Sequence, residues 1–160
     1  SVAVVLGALP ALVADSARRS PVVIAFFNTE EAPYFGTRDQ GAQRFLMGLP
    51  QEIGDRSAIR LAIVLDLIGG VVWRHSADTV FACGAEKGTG LPAVVDRVHE
   101  EGLSVERLGI DMVERLPGYP RMPVSDYHVF REVEVPFLFL STGRTPRSGG
   151  RRARASPSCR

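Results

Sequence analysis

The chain has 160 residues, 45% of them hydrophobic and 23% charged, with a formal net charge of +1. That is the size and balance of one ordinary folded domain, and its longest uncharged apolar stretch, residues 2–14, is short of the roughly 20 residues that span a bilayer. Six arginines crowd residues 144–160 with no acid among them, so the body is mildly acidic and the balance implies neither a nucleic-acid surface nor a membrane partner.

Residues 2–18 read as a helix of small and aliphatic residues, kinked by Pro10, in preference to a signal peptide because no basic segment precedes it. Val22 to Phe27 is a continuous apolar run without polar alternation, which predicts a central strand covered on both faces. A polar loop, 28–36, leads to Thr37, a candidate cap for a helix reaching about Gly48. Residues 60–68 predict a second apolar strand interrupted only by Asp66, and 71–74 and 79–83 two shorter ones. Leu91 to Glu101 has helical spacing with Pro92 in the first turn and Gly102 as the stop. Residues 103–108 suggest another strand, and the Pro- and Gly-rich stretch 109–124 an irregular loop. Ser125 is placed to cap a short helix ending near Arg131, before a last buried strand, 136–140. Helices alternating with apolar strands predict an α/β domain, a three-layer helix–sheet–helix with a mixed, mainly parallel sheet. In such sheets sites lie beyond the carboxyl ends of strands. Cys83 and Cys159 suggest no disulfide framework, and the compartment stays open.

Two places put acids where such a sheet holds its chemistry: Glu30-Glu31, just after the 22–27 run, and Asp66 within 60–68. A charge inside a buried strand costs several kcal/mol unless it is paired, metal-bound or near the strand's open end. Adjacent carboxylates in an extended loop can point different ways, one to a metal and one to a bound water. On spacing alone they also read as solvated loop acids, with Asp66 as an internal cap or salt-bridge partner.

Three segments in order carry a resemblance. Phe26-Phe27-Asn28-Thr29-Glu30-Glu31-Ala32-Pro33-Tyr34-Phe35-Gly36-Thr37 resembles the apolar-strand, Glu-Glu, Gly-Ser/Thr motif of the zinc aminopeptidase and glutamate carboxypeptidase family of metallopeptidase clan MH, which includes bacterial leucyl aminopeptidases. Val64-Leu65-Asp66-Leu67-Ile68-Gly69 is similar to its Leu-Asp-Met-Ile/Val-Gly segment, and Ser125-Asp126-Tyr127-His128-Val129-Phe130 to its Ser-Asp-His-x-x-Phe segment. The resemblance covers residues 1–146 and implies a partial zinc exopeptidase domain. It makes Glu30 the general base, Glu31 a ligand of one zinc and Asp66 a ligand of the other. Ser125 and Asp126 would shape the substrate pocket, and the substrate would be a peptide with a free N-terminus.

The family's two-zinc centre also takes a His from a His-x-Asp segment, a bridging Asp from an Asp-Asn-x-Ser/Ala-Gly turn, and a His from a late His-Thr-x-x-Asp segment. None of these is present, so the sheet and site are expected to be incomplete. Each zinc would keep one of three usual ligands, too few for stable binding, and the chain is expected to be inactive as it stands. His128 is displaced by one position from the family's His, and His75 and His99 match no motif. Residues 147–160 form a basic Arg/Ser/Gly/Pro-rich segment where the last His should fall. The abrupt change suggests a shifted reading frame; a natural disordered tail is the alternative. The competing functional readings are a non-catalytic binding or oligomerisation module of the same fold, and a glutaminyl-cyclase-like acyltransferase.

Overall fold

The computed structural model describes residues 1–69, 79–101, 104–115 and 125–142. The expected strand at 71–74, His75, the Gly102 stop, much of the 109–124 loop and the basic segment lie outside the described residues. Among the described residues, five α-helices, α1 (Val2–Ala14), α2 (Gly41–Met47), α3 (Leu91–Glu100), α4 (Ile110–Val113) and α5 (Tyr127–Glu132), accompany four strands, β1 (Ala62–Leu65), β2 (Val80–Cys83), β3 (Val105–Leu108) and β4 (Phe137–Ser141).

The strands form one sheet in the order β1-β4-β2-β3. β1 runs parallel to β4, with Ala62 opposite Phe137 and Leu65 opposite Leu140, and β2 runs parallel to β3. The β2–β4 pair is antiparallel, Ala82 facing Leu140. The sheet is therefore mixed and mostly parallel, as the sequence predicts.

Side-chain alternation along β4 divides the core in two. Phe137 and Phe139 join a cluster with Ala42 and Leu46 of α2, Ile110 and Val113 of α4, and Tyr127, Val129 and Phe130 of α5. Leu138 instead joins Ala82, Ala85 and Val95, with Leu91 packed alongside, so α3 covers the other face. Helices on both faces make this the expected helix–sheet–helix arrangement. Tyr127 sits against both Phe137 and Phe139, with ring centroids 5.4 and 4.9 Å apart.

Four expectations need correction. The run Val22–Phe27 forms no strand, and Val22, Val23 and Phe26 are exposed. An apolar run becomes a strand only where a neighbour accepts its backbone bonds; among the described residues none joins 22–27 to the sheet, Ile24 and Phe27 are half-buried, and Phe27 packs against Phe45. The first helix ends at Ala14, where the Asp15 carboxylate accepts the Ala17 N–H and turns the chain. Thr37 does not cap a helix: its hydroxyl donates to the Tyr34 carbonyl (2.6 Å) within a chain of turns, and α2 starts four residues later with Gln40 at its cap position. Within the stretch expected to be irregular, residues 110–113 form α4, whose first N–H, on Ile110, is accepted by the Glu86 carboxylate at 2.8 Å.

Candidate functional site

β1 and β4 are parallel, and their carboxyl ends open on the same side. Asp66 follows the last residue of β1, half-buried, its N–H donating to the Leu140 carbonyl of β4 at 3.1 Å. It therefore stands at the strand's open end, which resolves the difficulty of a carboxylate inside an apolar run. Leu67, the next residue, has φ +53°, and its carbonyl accepts the Thr142 hydroxyl at 2.6 Å. A left-handed conformation costs a non-glycine residue about 1–2 kcal/mol.

The Glu30–Glu31 loop shows the same feature. Thr29, immediately before Glu30, has φ +54°, unusual for a β-branched residue, and its hydroxyl donates to the Asp39 carbonyl at 2.8 Å. Glu30 is half-buried and Glu31 exposed. The chain then folds through successive turns, the Tyr34 N–H donating to the Glu31 carbonyl and the Thr37 N–H to that of Tyr34. Two candidate acids thus each adjoin a residue held in a rarely populated conformation by a hydroxyl bond.

Gln40 closes the loop. Its side chain is fully buried, and although it occupies the cap position of α2 it makes no capping bond there. The amide carbonyl accepts the Gly36 N–H at 2.9 Å, and the amide nitrogen donates to Asp126 Oδ1 at 2.7 Å. These partners fix the amide's orientation, since a carboxylate only accepts and an N–H only donates. Gly41, next in sequence, donates its N–H to the Asn28 carbonyl. A Cβ there would lie 2.7 Å from that carbonyl oxygen, so only glycine lets α2 seat so closely against the loop.

The Ser125–Asp126 segment is buried, with Asp126 9% exposed. Asp126, not Ser125, occupies the cap position of α5, and its carboxylate is spent on Gln40 instead of the helix N-terminus. Burial raises the Asp126 carboxyl above its ordinary range, and the nearby negative charge of Asp66 adds to this; the Gln40 bond and His128 act the other way. His128, 4% exposed, places Nδ1 2.8 Å from the Ser125 carbonyl, so Nδ1 carries the proton, and its ring packs on Phe35 at 4.8 Å. The far side of α5 is anchored by Arg131, which donates to both Glu114 oxygens and to Asp111, while the Tyr127 hydroxyl also bonds Glu114. His99 is a surface residue on α3, as expected of a histidine that matches no motif.

The structure thus brings Asp66, Ser125 and Asp126 together and ties the Glu30–Glu31 loop to them through Gln40. It does not gather the acids into a metal site. Among the described residues, no three or more His, Cys, Asp or Glu side chains are grouped so as to hold a metal ion. The donors among the described residues therefore do not fit a zinc centre, which needs at least three protein ligands. Gln40 escaped sequence reasoning because a glutamine carries neither periodicity nor a motif; only its burial marks it. No family model, curated relative or solved structure matches this chain.

Proposed function

We propose that this chain carries the Glu-Glu and Asp part of a zinc-dependent exopeptidase site of the aminopeptidase type, acting on peptides with a free N-terminus, and that as it stands it neither holds stoichiometric zinc nor turns substrate over. One observation carries the reading: the Gln40–Asp126 hydrogen bond joins residues 86 apart in sequence, with Asp126 near enough to Asp66, which follows β1, to feel its charge. Three segments that resemble the family in order are thereby neighbours in space, on the side of the sheet where α/β enzymes hold their chemistry. Strained residues beside Glu30 and Asp66 add support, since such backbone concentrates at functional sites. In this reading Glu30 would be the general base, Glu31 and Asp66 would each hold a different zinc ion, and the remaining ligands would have to be supplied from outside the described residues.

A second reading, a folded binding module without catalysis, is favoured by the way Asp126 and His128 are engaged in internal hydrogen bonds. Elemental analysis and an aminoacyl-anilide assay separate the two. The purified 160-residue chain is expected to contain far less than one zinc and to release no anilide; a full equivalent of zinc would overturn its inactivity. A completed chain, with His-x-Asp and Asp-Asn-x-Ser-Gly segments ahead of residue 1 and a His-Thr-x-x-Asp segment after β4, is expected to bind zinc and hydrolyse the anilide. Silence from that chain when folded and zinc-loaded would favour the module, and cyclisation of an N-terminal Gln peptide would favour the acyltransferase.

A further inference from the structure

We propose that Gln40 is a positioning residue that fixes the Glu30–Glu31 loop on the Ser125–Asp126 segment, so that a candidate base and a candidate pocket wall keep one separation. The assignment of those two roles rests on the exopeptidase reading; the coupling itself rests on geometry.

Gln40 occupies the cap position just ahead of α2 and is fully buried, yet its amide serves neither the helix nor the surface. It spans two elements, accepting from the Gly36 backbone and donating to the Asp126 carboxylate. The bond to Asp126 is charge-assisted when the carboxylate is ionised and is made out of contact with water, the setting in which such bonds hold geometry best. An apolar residue at 40 would leave both the Gly36 N–H and the Asp126 carboxylate without this partner. Two neighbours act in the same direction. Gly41 seats α2 on the Asn28 backbone, and Phe35 packs on His128, two residues beyond Asp126. The loop therefore meets the 125–128 segment through a hydrogen bond and a ring contact, with the glutamine at the centre. Among the described residues, the titratable groups that act on Asp126 are Asp66 beyond β1 and His128 on α5.

The test uses the 160-residue chain and needs no activity. In Gln40→Met, hydrogen exchange at Gly36 and Thr37 is expected to accelerate by roughly ten- to a hundredfold, the range for losing a buried hydrogen bond, while α3 amides keep their relative protection. The Asp126 carboxyl, followed by carbon NMR, is expected to titrate at higher pH, since the bond that favours its ionised form is gone. Val95→Ala, in the core on the opposite face of the sheet, controls for general destabilisation and is expected to move neither readout selectively. Should Gln40→Met fail to fold, the Asp126 side serves: Asp126→Asn keeps an acceptor and is expected to retain Gly36 protection, whereas Asp126→Ala is expected to lose it. Unchanged Gly36 exchange and unchanged Asp126 titration in Gln40→Met, or full Gly36 protection in Asp126→Ala, overturns the proposal. If these readouts come out as expected but the completed chain has no peptidase activity, the exopeptidase reading fails and the coupling stands.

Discussion

Replacing Gly41 by alanine sets two physical effects against each other, and the structure decides between them. By helix propensity the change should help, because alanine is favoured over glycine in a helix by about 0.5–1 kcal/mol. By packing it should hurt. The new Cβ would lie 2.7 Å from the Asn28 carbonyl oxygen, 2.9 Å from its nitrogen and 3.1 Å from the Phe27 Cβ. Two of these are backbone atoms, which cannot swing aside, so α2 must move from the loop by several tenths of an ångström. Overpacking of this kind costs about 1–3 kcal/mol, and weakening the Gly41 N–H to Asn28 carbonyl bond costs about 0.5–1.5 more. The net expectation is a loss of about 1–3 kcal/mol, read as a fall in urea midpoint with unchanged slope. Gly48→Ala is the control: at the other end of α2 the added Cβ meets only the Arg44 carbonyl at 3.7 Å, at an ordinary negative φ. Gly48→Ala should be neutral or mildly stabilising. A Gly41→Ala chain as stable as the parent would refute the close seating of α2 on the Glu30–Glu31 loop.

Further outcomes follow from the same coordinates. Burial raises the Asp126 carboxyl above its ordinary value of 3.8, so it contributes full stability below that value and loses it as pH rises through its folded pKa; Asp126→Asn, which keeps an acceptor for Gln40, should match the parent below the ordinary carboxylate range and gain on it as pH rises above that range in denaturant titrations. Thr142→Val removes the hydroxyl bonded to the Leu67 carbonyl and should cost about 1–2 kcal/mol, with faster amide exchange at 66–68; a change below about 0.3 kcal/mol would mean the left-handed turn after Asp66 needs no such support. Cys83 is buried with its thiol pushed up to about 12, so in a Cys159→Ser background it should resist alkylation at pH 8 until the chain unfolds. Rapid labelling of the native chain would contradict the packing of β2.

Much of the layered core was legible because the signals are local. The runs that became β1, β2 and β4 are apolar and bounded by turn residues, and α3 announces itself by apolar spacing with Pro92 in its first turn. Val22–Phe27 carries the same signal and forms no strand, because a strand needs a partner and periodicity says nothing about whether one is in place. Thr37 is a strong cap by residue type and its hydroxyl does accept the Asp39 N–H, but the chain there continues as turns and α2 starts only at Gly41. α4 was hidden in a Gly- and Pro-rich stretch because its first N–H is satisfied from a distant residue, Glu86. The acids Glu30, Glu31 and Asp66 were legible as candidates, since charges beside or within apolar runs demand an explanation, whereas Asp126 was marked only by the resemblance of its segment. What joins them was not: Gln40 acts across 86 residues, and nothing local distinguishes it from a surface glutamine.

In the proposed reading Glu30 serves as base in a site assembled from the Glu-Glu loop, Asp66 and the Ser125–Asp126 segment. The most direct measurement is the zinc-loaded completed chain with Glu30→Gln, assayed for kcat on an aminoacyl anilide beside its parent and a Glu134→Gln control on the exposed turn before β4. Glu30→Gln is expected to keep its zinc and lose about 10²–10⁴-fold in kcat, while Glu134→Gln stays at parental activity. Turnover by Glu30→Gln within about twofold of the parent, far inside the loss a general base should cause, would contradict it.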